Sequence, residues 1–359
     1  MKILLTGAHF TPAVATIEEL KKMDPDAKIV YVGRKATLEG DKTPSVESKV
    51  LPSLGVKFIP IITGRLQRHF NIYTIISLLK IPIGFLQAFF IVLKEQPDVI
   101  LSFGGYVAVP TVIIGWLFSV PVIIHEQTLV SGLANKIAAV FADKIALSFK
   151  EHPSFSKDKT ILTGNPIRRV IIKKNKLSNS TGDLPRILIM GGNQGSHAIN
   201  LAVEGVLDKL LKIVDITHVT GNNKFHDFER LKEKQNDKYT VKQWIENLGE
   251  VLAESDLVIC RAGINTLVEL AVLEKRALVI PIPYLYQNEQ NKNAKYFENL
   301  NLVKILPQSK LSGTTLLYNI KEMLADKDSK EKAKKAKDAI IADGAKSLAL
   351  ETLLLRKGL

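Results

Sequence analysis

The chain has 359 residues, a length that favours two domains of ordinary size over one small domain. Apolar residues make up 46% and charged residues 24%, which excludes collagen-like and low-complexity classes and indicates a folded protein. The single cysteine, Cys260, excludes an internal disulfide framework and a cysteine-cluster zinc site. The net charge of +13 favours anionic partners (nucleic acid, acidic lipid or phosphorylated substrates) without choosing among them.

Short β-branched runs alternate with longer amphipathic stretches, as is typical of βα units on a parallel sheet. Strands are predicted in the first half at 2–6, 28–32, 56–60, 98–102, 121–124, 144–148 and 160–162. In the second half they are predicted at 186–190, 214–219, 239–242, 257–260, 277–281 and 302–305. A strand, a glycine turn and a helix (12–23) open the chain, and the same order recurs at 186–211 after a polar segment at 173–185. The sequence therefore predicts an α/β protein with two Rossmann-like domains facing across a cleft.

The segment 70–93 is the most apolar part of the chain and is long enough to span a membrane. Lys80 lies near its centre, and Pro82 and Gly84 are expected to interrupt a helix, which argues against a spanning helix. Two alternatives stay open. The segment is either a buried domain helix or an apolar face with a basic rim that rests on an anionic membrane surface. The next apolar stretch, 107–124, is interpreted as a helix followed by a buried strand.

Three glycine-containing turns follow predicted strands, namely Thr6-Gly7-Ala8-His9, Ser102-Phe103-Gly104-Gly105-Tyr106 and Gly191-Gly192-Asn193-Gln194-Gly195. Such turns let backbone N–H groups and a helix N-terminus approach a phosphate, although a tight turn without a ligand explains each one alone. None has the G-x-G-x-x-G order, and no G-x-x-x-x-G-K-[ST] occurs, so NAD and P-loop chemistry are disfavoured. Together the turns predict a ligand with several phosphates.

Candidate catalytic groups follow two strands of the first half. His9 is either a general base for a hydroxyl nucleophile or a polar residue that bonds the N-terminus of the next helix. His125-Glu126-Gln127 ends the strand at 121–124, where consecutive polar groups favour a site. The order is not H-E-x-x-H, which excludes zinc-protease chemistry.

Candidate binding groups follow strands of the second half. One such segment is Arg261-Ala262-Gly263-Ile264-Asn265-Thr266-Leu267-Val268-Glu269. The Glu269 carboxylate suits the two hydroxyls of a ribose, but Thr266 and Glu269 also fit a helix capping box. The amide-rich Asn288-Glu289-Gln290-Asn291 suits sugar hydroxyls or a polar helix start. Arg168, near the domain junction, suits a pyrophosphate or is a surface charge.

Taken together, these motifs resemble the MurG family within glycosyltransferase family 28. The resemblance rests on Gly104-Gly105-Tyr106, His125-Glu126-Gln127, Gly164-Asn165-Pro166-Ile167-Arg168, Gly191-Gly192-x-Gln194-Gly195, Arg261-x-Gly263-x-x-Thr266-x-x-Glu269 and Asn288-x-Gln290-x-x-Asn293-Ala294, in family order and spacing. It covers nearly the whole chain. It implies a GT-B fold with an N-terminal domain at 1–163, a C-terminal domain at 164–340 and a helix at 341–359 that is expected to pack back on the N-terminal domain.

The resemblance also implies a function. It is inverting, metal-independent transfer of N-acetylglucosamine from UDP-N-acetylglucosamine to the undecaprenyl-linked muramyl-pentapeptide (lipid I to lipid II). No cofactor is expected. The enzyme would bind peripherally to the anionic surface of the cell membrane, on its cytoplasmic face. It would not bind nucleic acid.

The resemblance implies these family roles: His9 and Glu126 as candidate bases; Arg168, Gly192, Asn193, Gln194, Gly195, Ile245, Thr266, Glu269, Gln290 and Asn291 for the donor; and Thr6, Gly7, Gly104, Gly105 and Tyr106 for the acceptor.

The chain departs from the family pattern in three places. The first loop is usually Gly-Gly-Thr-Gly-Gly-His and is here Leu4-Leu5-Thr6-Gly7-Ala8-His9. Thr128 replaces the usual Asn after His-Glu-Gln, and Asn193 replaces the usual Ser of the second glycine loop. A related transferase acting on another lipid and a non-catalytic nucleotide-sugar-binding subunit therefore remain alternatives. A nicotinamide-dependent oxidoreductase is disfavoured by the missing G-x-G-x-x-G.

Overall fold

The protein is represented by a computed structural model that describes residues 1–35, 45–64, 72–150, 154–168, 184–192, 194–245 and 248–356. The chain divides into two compact units, Met1–Arg168 with Ile341–Leu359 and Arg169–Ile340. The division at 168/169 lies slightly beyond the 163/164 boundary expected from the sequence, so Arg168 closes the first unit.

Within the described residues, each unit is built on one parallel sheet. The first sheet contains β1 (Lys2–Thr6), β2 (Lys28–Gly33), β3 (Lys57–Pro60), β4 (Val99–Ser102), β5 (Val122–Glu126), β6 (Lys144–Leu147) and β7 (Thr160–Leu162), in the order β3-β2-β1-β4-β5-β6-β7. The second contains β8 (Arg186–Met190), β9 (Asp215–Val219), β10 (Tyr239–Lys242), β11 (Leu257–Cys260), β12 (Ala277–Val279) and β13 (Val303–Ile305), in the order β10-β9-β8-β11-β12-β13.

Helices connect the strands as crossovers. In the first unit they are α1 (Phe10–Met23), α2 (Val46–Ser53), α3 (Ile72–Glu95), α4 (Ala108–Leu117) and α5 (Leu133–Phe141). The second unit has α6 (His197–Glu204), α7 (Leu207–Leu210), α8 (Asp227–Lys232), α9 (Leu248–Glu254), α10 (Ile264–Val272), α11 (Glu289–Asn299), α12 (Gly313–Ala325) and α13 (Ser329–Asp338). The last helix, α14 (Gly344–Leu354), belongs to the first unit and packs on α1.

Both faces of the first sheet are covered, which explains why its strands are continuously apolar. Ile3 and Leu5 point to the face covered by α1 and α14, where Leu348 completes the cluster. Leu4 points to the opposite face and packs with Ala88 of α3 and with residues of α4. All three β1 side chains are fully buried, so the strand holds the loop that follows it in a fixed position.

The strand predictions agree with the structure to within one or two residues. Two helical predictions do not. The stretch 196–211 is two helices, because Gly205 caps α6 and Val206 has a non-helical backbone (φ −133°). The break expected at Pro82 and Gly84 is also wrong, because α3 continues through both residues.

Helix α3 combines a buried and an exposed apolar face. Ala88 and Val92 are buried in the unit, whereas the side chains at a spacing of three and four residues on another face are solvent-exposed: Leu79, Ile83, Leu86, Phe90 and Leu93. Among the described helices, α3 alone is long and apolar enough over Ser77–Glu95 to cross a membrane by composition. Since α3 packs against α4 and the sheet, it is a domain helix with an unusually apolar outer face.

The order of each sheet reverses at one point, which marks the place where ligands bind in open parallel sheets. In the first unit it lies between β1 and β4, and in the second between β8 and β11. The loops that leave these four strands start at Gly7, Phe103, Gly191 and Arg261, so the sequence motifs flank both reversal points.

Candidate functional site

In the first unit, the loops after β1 and β4 are in direct contact. The amide of Ala8 donates to the carbonyl oxygen of Gly104 over 3.0 Å. Gly104 (φ +74°) and Gly105 (φ +84°) have left-handed backbones, and a Cβ on Gly105 would lie 2.7 Å from that of Ala8. Glycine is therefore needed for both the conformation and the close approach.

The loop between β1 and α1 is short. Leu4 and Leu5, which occupy the first two positions of the family's glycine loop in an ungapped comparison, are buried strand residues. Only Gly7, Ala8 and His9 join the strand to the helix. The backbone that can cradle an anion here is correspondingly limited.

His9 is the N-cap of α1, but its side chain makes no capping hydrogen bond, so the alternative in which it bonds the helix N-terminus is wrong. Burial, assisted by the positive charge of Arg34, lowers the pKa of His9 to about 4. The imidazole is therefore neutral near pH 7, the form that accepts a proton. Arg34 lies just beyond β2, within 6.0 Å of the Tyr106 ring centroid, and sequence reasoning missed it because only the fold brings it to this place.

Glu126 is the last residue of β5 and is buried. One carboxylate oxygen accepts from the Thr128 amide (3.0 Å) and hydroxyl (2.7 Å), and the other accepts from Asn135 Nδ2 (2.9 Å). These bonds tie the segment after β5 and the first turn of α5 to the end of the strand. Glu126 therefore has a structural task, whereas no side-chain hydrogen bond of this kind joins His9 to another described residue.

His125 is also buried inside β5, rather than after the strand as expected. Its Nε2 lies 3.3 Å from the Gly164 carbonyl oxygen and 3.2 Å from Ser148 Oγ. Burial lowers its pKa to about 4, despite opposing hydrogen bonds. His125 is thus a neutral residue that ties β5 to the Gly164 segment.

The other predicted acceptor residues divide into two groups. Gly7, Gly104, Gly105 and half-buried Tyr106 lie at the reversal point. Thr6 has a fully buried side chain whose hydroxyl donates to the Val32 carbonyl oxygen over 3.0 Å. Its hydroxyl therefore stabilises the sheet and does not face a ligand.

In the second unit, the glycine loop after β8 is packed tightly at one residue and open at another. A Cβ on Gly195 (φ +75°) would lie 1.7 Å from the Thr220 carbonyl oxygen, so the loop contacts the segment after β9. Gly192 (φ +91°) has open space around it and is exposed, as is Gln194. Asn193 lies outside the described residues. The loop ends at Ser196, whose Oγ caps α6 by accepting from the Ile199 amide.

Arg261 joins this glycine loop to the next strand. Its Nη2 donates to Ser196 Oγ over 2.7 Å and its Nη1 donates to the Ile280 carbonyl oxygen over 2.9 Å. The guanidinium therefore holds together the loops that leave β8, β11 and β12. The sequence analysis quoted Arg261 within its motif but assigned it no role.

The capping box proposed for Thr266 and Glu269 is wrong. The N-cap of α10 is Gly263, and the helix begins at Ile264, so Thr266 and Glu269 both lie inside the helix. Thr266 is half-buried and Glu269 is buried in the first turns after the reversal point. This position leaves the ribose hypothesis for Glu269 in place.

The remaining donor candidates are dispersed. Gln290, near the start of α11, uses its Oε1 to accept from the Ile282 amide (2.9 Å), and Asn291 is half-buried on the same helix. Half-buried Ile245 follows β10. Arg168 is half-buried at the end of the first unit, and its Nε has no hydrogen-bond partner among the described residues. Glu289, missed from the sequence, is half-buried at the start of α11, and burial raises its pKa.

Over the described ranges, no group of three or more His, Cys, Asp or Glu side chains is arranged to hold a metal ion. Near the reversal points, the described residues offer backbone amides, amide side chains, carboxylates and guanidinium groups. Those groups suit phosphates and sugar hydroxyls.

Solved structures share this fold over nearly the whole chain. Acinetobacter baumannii MurG matches with a TM-score of 0.71 at 22% identity, covering 98% of this chain and 99% of that one. The UDP-GlcNAc 2-epimerase from Neisseria meningitidis, solved with UDP-GlcNAc bound, matches with a TM-score of 0.66 at 15% identity, covering 99% of this chain and 100% of that one. The two parallel-sheet units thus define a GT-B fold.

Sequence comparison gives the family. The model of the glycosyltransferase family 28 N-terminal domain matches residues 6–147, and that of the C-terminal domain matches residues 186–348. The UDP-N-acetylglucosamine–N-acetylmuramyl-(pentapeptide) pyrophosphoryl-undecaprenol N-acetylglucosamine transferase of Bacillus cytotoxicus is 34% identical, with 97% of both chains covered. The protein of the same name from Clostridium botulinum is 34% identical over 91% of this chain and 92% of that one. The chain belongs to glycosyltransferase family 28.

Proposed function

We propose that the protein transfers N-acetylglucosamine from UDP-N-acetylglucosamine to undecaprenyl-pyrophosphoryl-N-acetylmuramyl-pentapeptide, forming lipid II. The observation that carries the proposal is the match to relatives named for this reaction, over 97% of the chain in the first of them. The motifs of both units also flank the sheet reversal points, where ligands bind in such folds. The reaction serves peptidoglycan synthesis and, through it, cell shape and division.

The second unit binds the donor in this proposal. The amides of the Gly191–Gly195 loop and the N-terminus of α6 take the diphosphate, and Glu269 takes the ribose hydroxyls. Gln290 and Asn291 bind the sugar, and Ile245 and Thr266 contact the nucleotide. These groups stabilise the charge that develops on departing UDP.

The first unit binds the acceptor, with its diphosphate at the Gly7 and Gly104–Gly105 loops. The acceptor 4-hydroxyl oxygen forms a bond to the anomeric carbon while the bond from that carbon to UDP breaks, which inverts the configuration. UDP leaves with the bonding electron pair, and the hydroxyl proton passes to His9. The neutral state of His9 supports this role over Glu126, whose carboxylate is occupied by Thr128 and Asn135.

The exposed apolar face of α3 supports peripheral binding to the cytoplasmic face of the cell membrane. Leu79 is 68% exposed, Leu86 59% and Phe90 58%. Exposure of these apolar side chains to water costs free energy, whereas their insertion into the interfacial region of a bilayer is favourable. Lys94 is exposed beside this face and suits anionic headgroups. The acceptor is anchored in the same membrane, so surface binding brings enzyme and acceptor together.

One observation favours a second candidate, transfer of the same sugar to a different polyprenyl-pyrophosphate acceptor. The β1–α1 loop has three residues, because Leu4 and Leu5 are strand residues. An acceptor loop that lacks the family's glycines at these two positions is compatible with a different sugar or peptide on the lipid.

The deciding experiment incubates the full chain with labelled UDP-N-acetylglucosamine and either purified lipid I or undecaprenyl pyrophosphates that carry other sugars. Labelled lipid II from lipid I alone supports the first proposal, and label on another lipid alone supports the second. Donor binding without transfer to any acceptor would favour a non-catalytic subunit, and the absence of donor binding would overturn both proposals.

A further inference from the structure

A buried carboxylate behind the second glycine loop has no role in the reaction described so far. Asp227, at the start of α8, is fully buried and accepts hydrogen bonds from four side chains. The donors are His197 Nδ1 at 2.8 Å, Arg230 Nη2 at 2.6 Å, Asn200 Nδ2 at 2.8 Å and Asn223 Nδ2 at 2.9 Å. A carboxylate can satisfy this many donors only while it is ionised.

These four donors come from separate segments. His197 and Asn200 lie in the first turn of α6, directly after the glycine loop. Asn223 lies in the segment after β9, and Arg230 lies on α8 and also pairs with Glu204 at the end of α6. Asp227 therefore links both ends of α6 to the segment that follows β9.

The network continues into the sheet. Asn200 Nδ2 also donates to the Thr220 carbonyl oxygen (3.2 Å), and Asn200 Oδ1 contacts Nε2 of buried His218 at 3.0 Å. Thr220 and Gly221 form the surface against which Gly195 is packed. The glycine loop is thus bounded behind by a segment that the Asp227 network holds in place.

The ring of His197 is fixed twice. Asp227 holds Nδ1, and the Phe225 ring stacks on the imidazole with centroids 3.9 Å apart and planes 12° apart. His197 is the first residue of α6, so a fixed side chain there also fixes the backbone amides that begin the helix.

The pKa of Asp227 agrees with an ionised carboxylate at the centre of these hydrogen bonds. Burial alone would raise the pKa of Asp227, but hydrogen bonds from Asn200, Arg230, His197 and Asn223 outweigh it and hold the pKa below its usual value. Asp227 is therefore an anion near pH 7. Arg230 supplies a positive charge beside the carboxylate, and His197, Asn200 and Asn223 donate the other hydrogen bonds.

We propose that Asp227 is a positioning residue for donor binding, which acts through His197 and Asn200 to hold the start of α6 and the Gly191–Gly195 loop in the shape that receives a nucleoside diphosphate. This inference rests on the proposed function, because it assigns the diphosphate to that loop. Asp227 itself does not touch the donor.

The test measures UDP binding by calorimetry, and donor KM and kcat in the transfer assay, for the wild type and Asp227→Asn. The amide has the same shape, but its Nδ2 cannot accept a hydrogen bond, so either the His197 and Arg230 donors or the Asn200 and Asn223 donors lose an acceptor. We expect UDP affinity to fall and donor KM to rise by about tenfold, with kcat changed by less than about threefold. Unchanged affinity and KM in a folded variant would overturn the inference.

Asp326→Asn is the matched control. Asp326 accepts from Arg276 and from Lys332 (2.8 Å) in the same unit, outside the network behind the glycine loop. Its loss is expected to lower thermal stability while leaving UDP affinity unchanged. A loss of UDP affinity equal to that of Asp227→Asn would mean that general destabilisation explains both, which would also overturn the inference.

His197→Ala keeps the inference testable if Asp227→Asn folds poorly, and a double-mutant cycle extends the test if both variants fold. His197→Ala removes the loop-side donor and leaves Asp227 with Arg230, Asn200 and Asn223. We expect His197→Ala alone to weaken UDP binding, and the effects of the two changes on UDP binding to be less than additive where both variants fold. No effect of His197→Ala, or strict additivity, would contradict the action through His197. If the wild type itself binds no UDP, the proposed function fails instead.

Discussion

The amide of Ala8 donates a hydrogen bond to the carbonyl oxygen of Gly104 over 3.0 Å, which joins the two loops at the sheet reversal of the first unit. The same approach brings Ala8 against Gly105, where a Cβ would lie 2.7 Å from the Cβ of Ala8. Two loops that are distant in sequence thus form one surface, and any atom added to either loop acts on both.

This contact predicts a compensating pair of substitutions. Gly105→Ala should destabilise the protein by about 2–4 kcal/mol, because it adds a steric clash to the cost of a left-handed backbone. Ala8→Gly removes the clashing Cβ, so the double variant should recover part of the loss in urea unfolding. If Ala8→Gly gives no recovery, the clash is not the cause of the destabilisation.

His9 is predicted to set the acid limb of the transfer reaction. Because burial and Arg34 lower its pKa to about 4, the neutral base persists well below pH 6.5. The rate should therefore decline only as the pH falls towards about 4, and His9→Ala should lower kcat by about 10²–10⁴-fold. Wild-type turnover in His9→Ala would remove His9 from the mechanism.

Glu126 is predicted to be structural. Glu126→Ala removes the acceptor of the Thr128 amide and the nearer acceptor of Asn135 Nδ2, and should cost about 1–3 kcal/mol of unfolding free energy for each buried donor left unpaired. Glu126→Gln keeps an acceptor oxygen, and it should retain most of the kcat. A loss of kcat in Glu126→Gln as large as in His9→Ala, with stability unchanged, would instead identify Glu126 as the base.

The outer face of α3 is predicted to bind membranes. Replacing Leu86 and Phe90 together with Gln should reduce binding to vesicles of anionic lipid at least about tenfold, because each apolar side chain contributes roughly 1.5–3 kcal/mol when buried. Circular dichroism should show the fold unchanged. Tyr318→Ser, at a 66% exposed residue of α12, serves as the control and should bind like the wild type.

Acid should destabilise the protein through three histidines whose pKa is lowered in the folded state. Burial lowers the pKa to about 4 for His9 and His125 and to about 3 for His218, against an ordinary value of 6.5. Between these values the unfolded chain binds more protons than the folded one, so stability is present above pH 6.5 and is lost as the pH falls towards 3–4.

Urea unfolding at pH 7, 6 and 5 measures this loss. The slope of the unfolding free energy against pH should be smaller in His218→Gln. His226→Gln, at an 83% exposed side chain, should leave that slope unchanged. An unfolding free energy that does not change from pH 7 to pH 5 would contradict the lowered pKa values of these histidines.

Local patterns predicted much of the fold, because a parallel strand needs only a short apolar run between turn residues. Strand positions and the glycine loops at both reversal points followed from this. The continuation of α3 through Pro82 did not, since packing against α4 outweighs the local cost of proline. The capping box at Thr266 was wrong because the helix begins at Ile264, and a spacing rule does not locate the first residue of a helix.

Contacts between segments that are distant in the chain could not be predicted from the sequence. Asp227 stands in a segment of mixed charge, and its hydrogen bonds with His197 and Asn200 exist only because β8 and β9 are neighbours. Arg34 comes near His9 for a similar reason, since β2 pairs with β1. Residues that act through their neighbours leave no local signal.

The placement of α14 has a consequence for biosynthesis. This helix covers α1 and supplies Leu348 and Ala349 to the core of the first unit, although all of Arg169–Ile340 precedes it in the chain. On a translating ribosome, the second unit is complete before the first has its full core. The amino-terminal half must therefore persist with an uncovered apolar surface on α1 until the carboxyl-terminal helix emerges, and during that interval it is the half more exposed to chaperones and proteases.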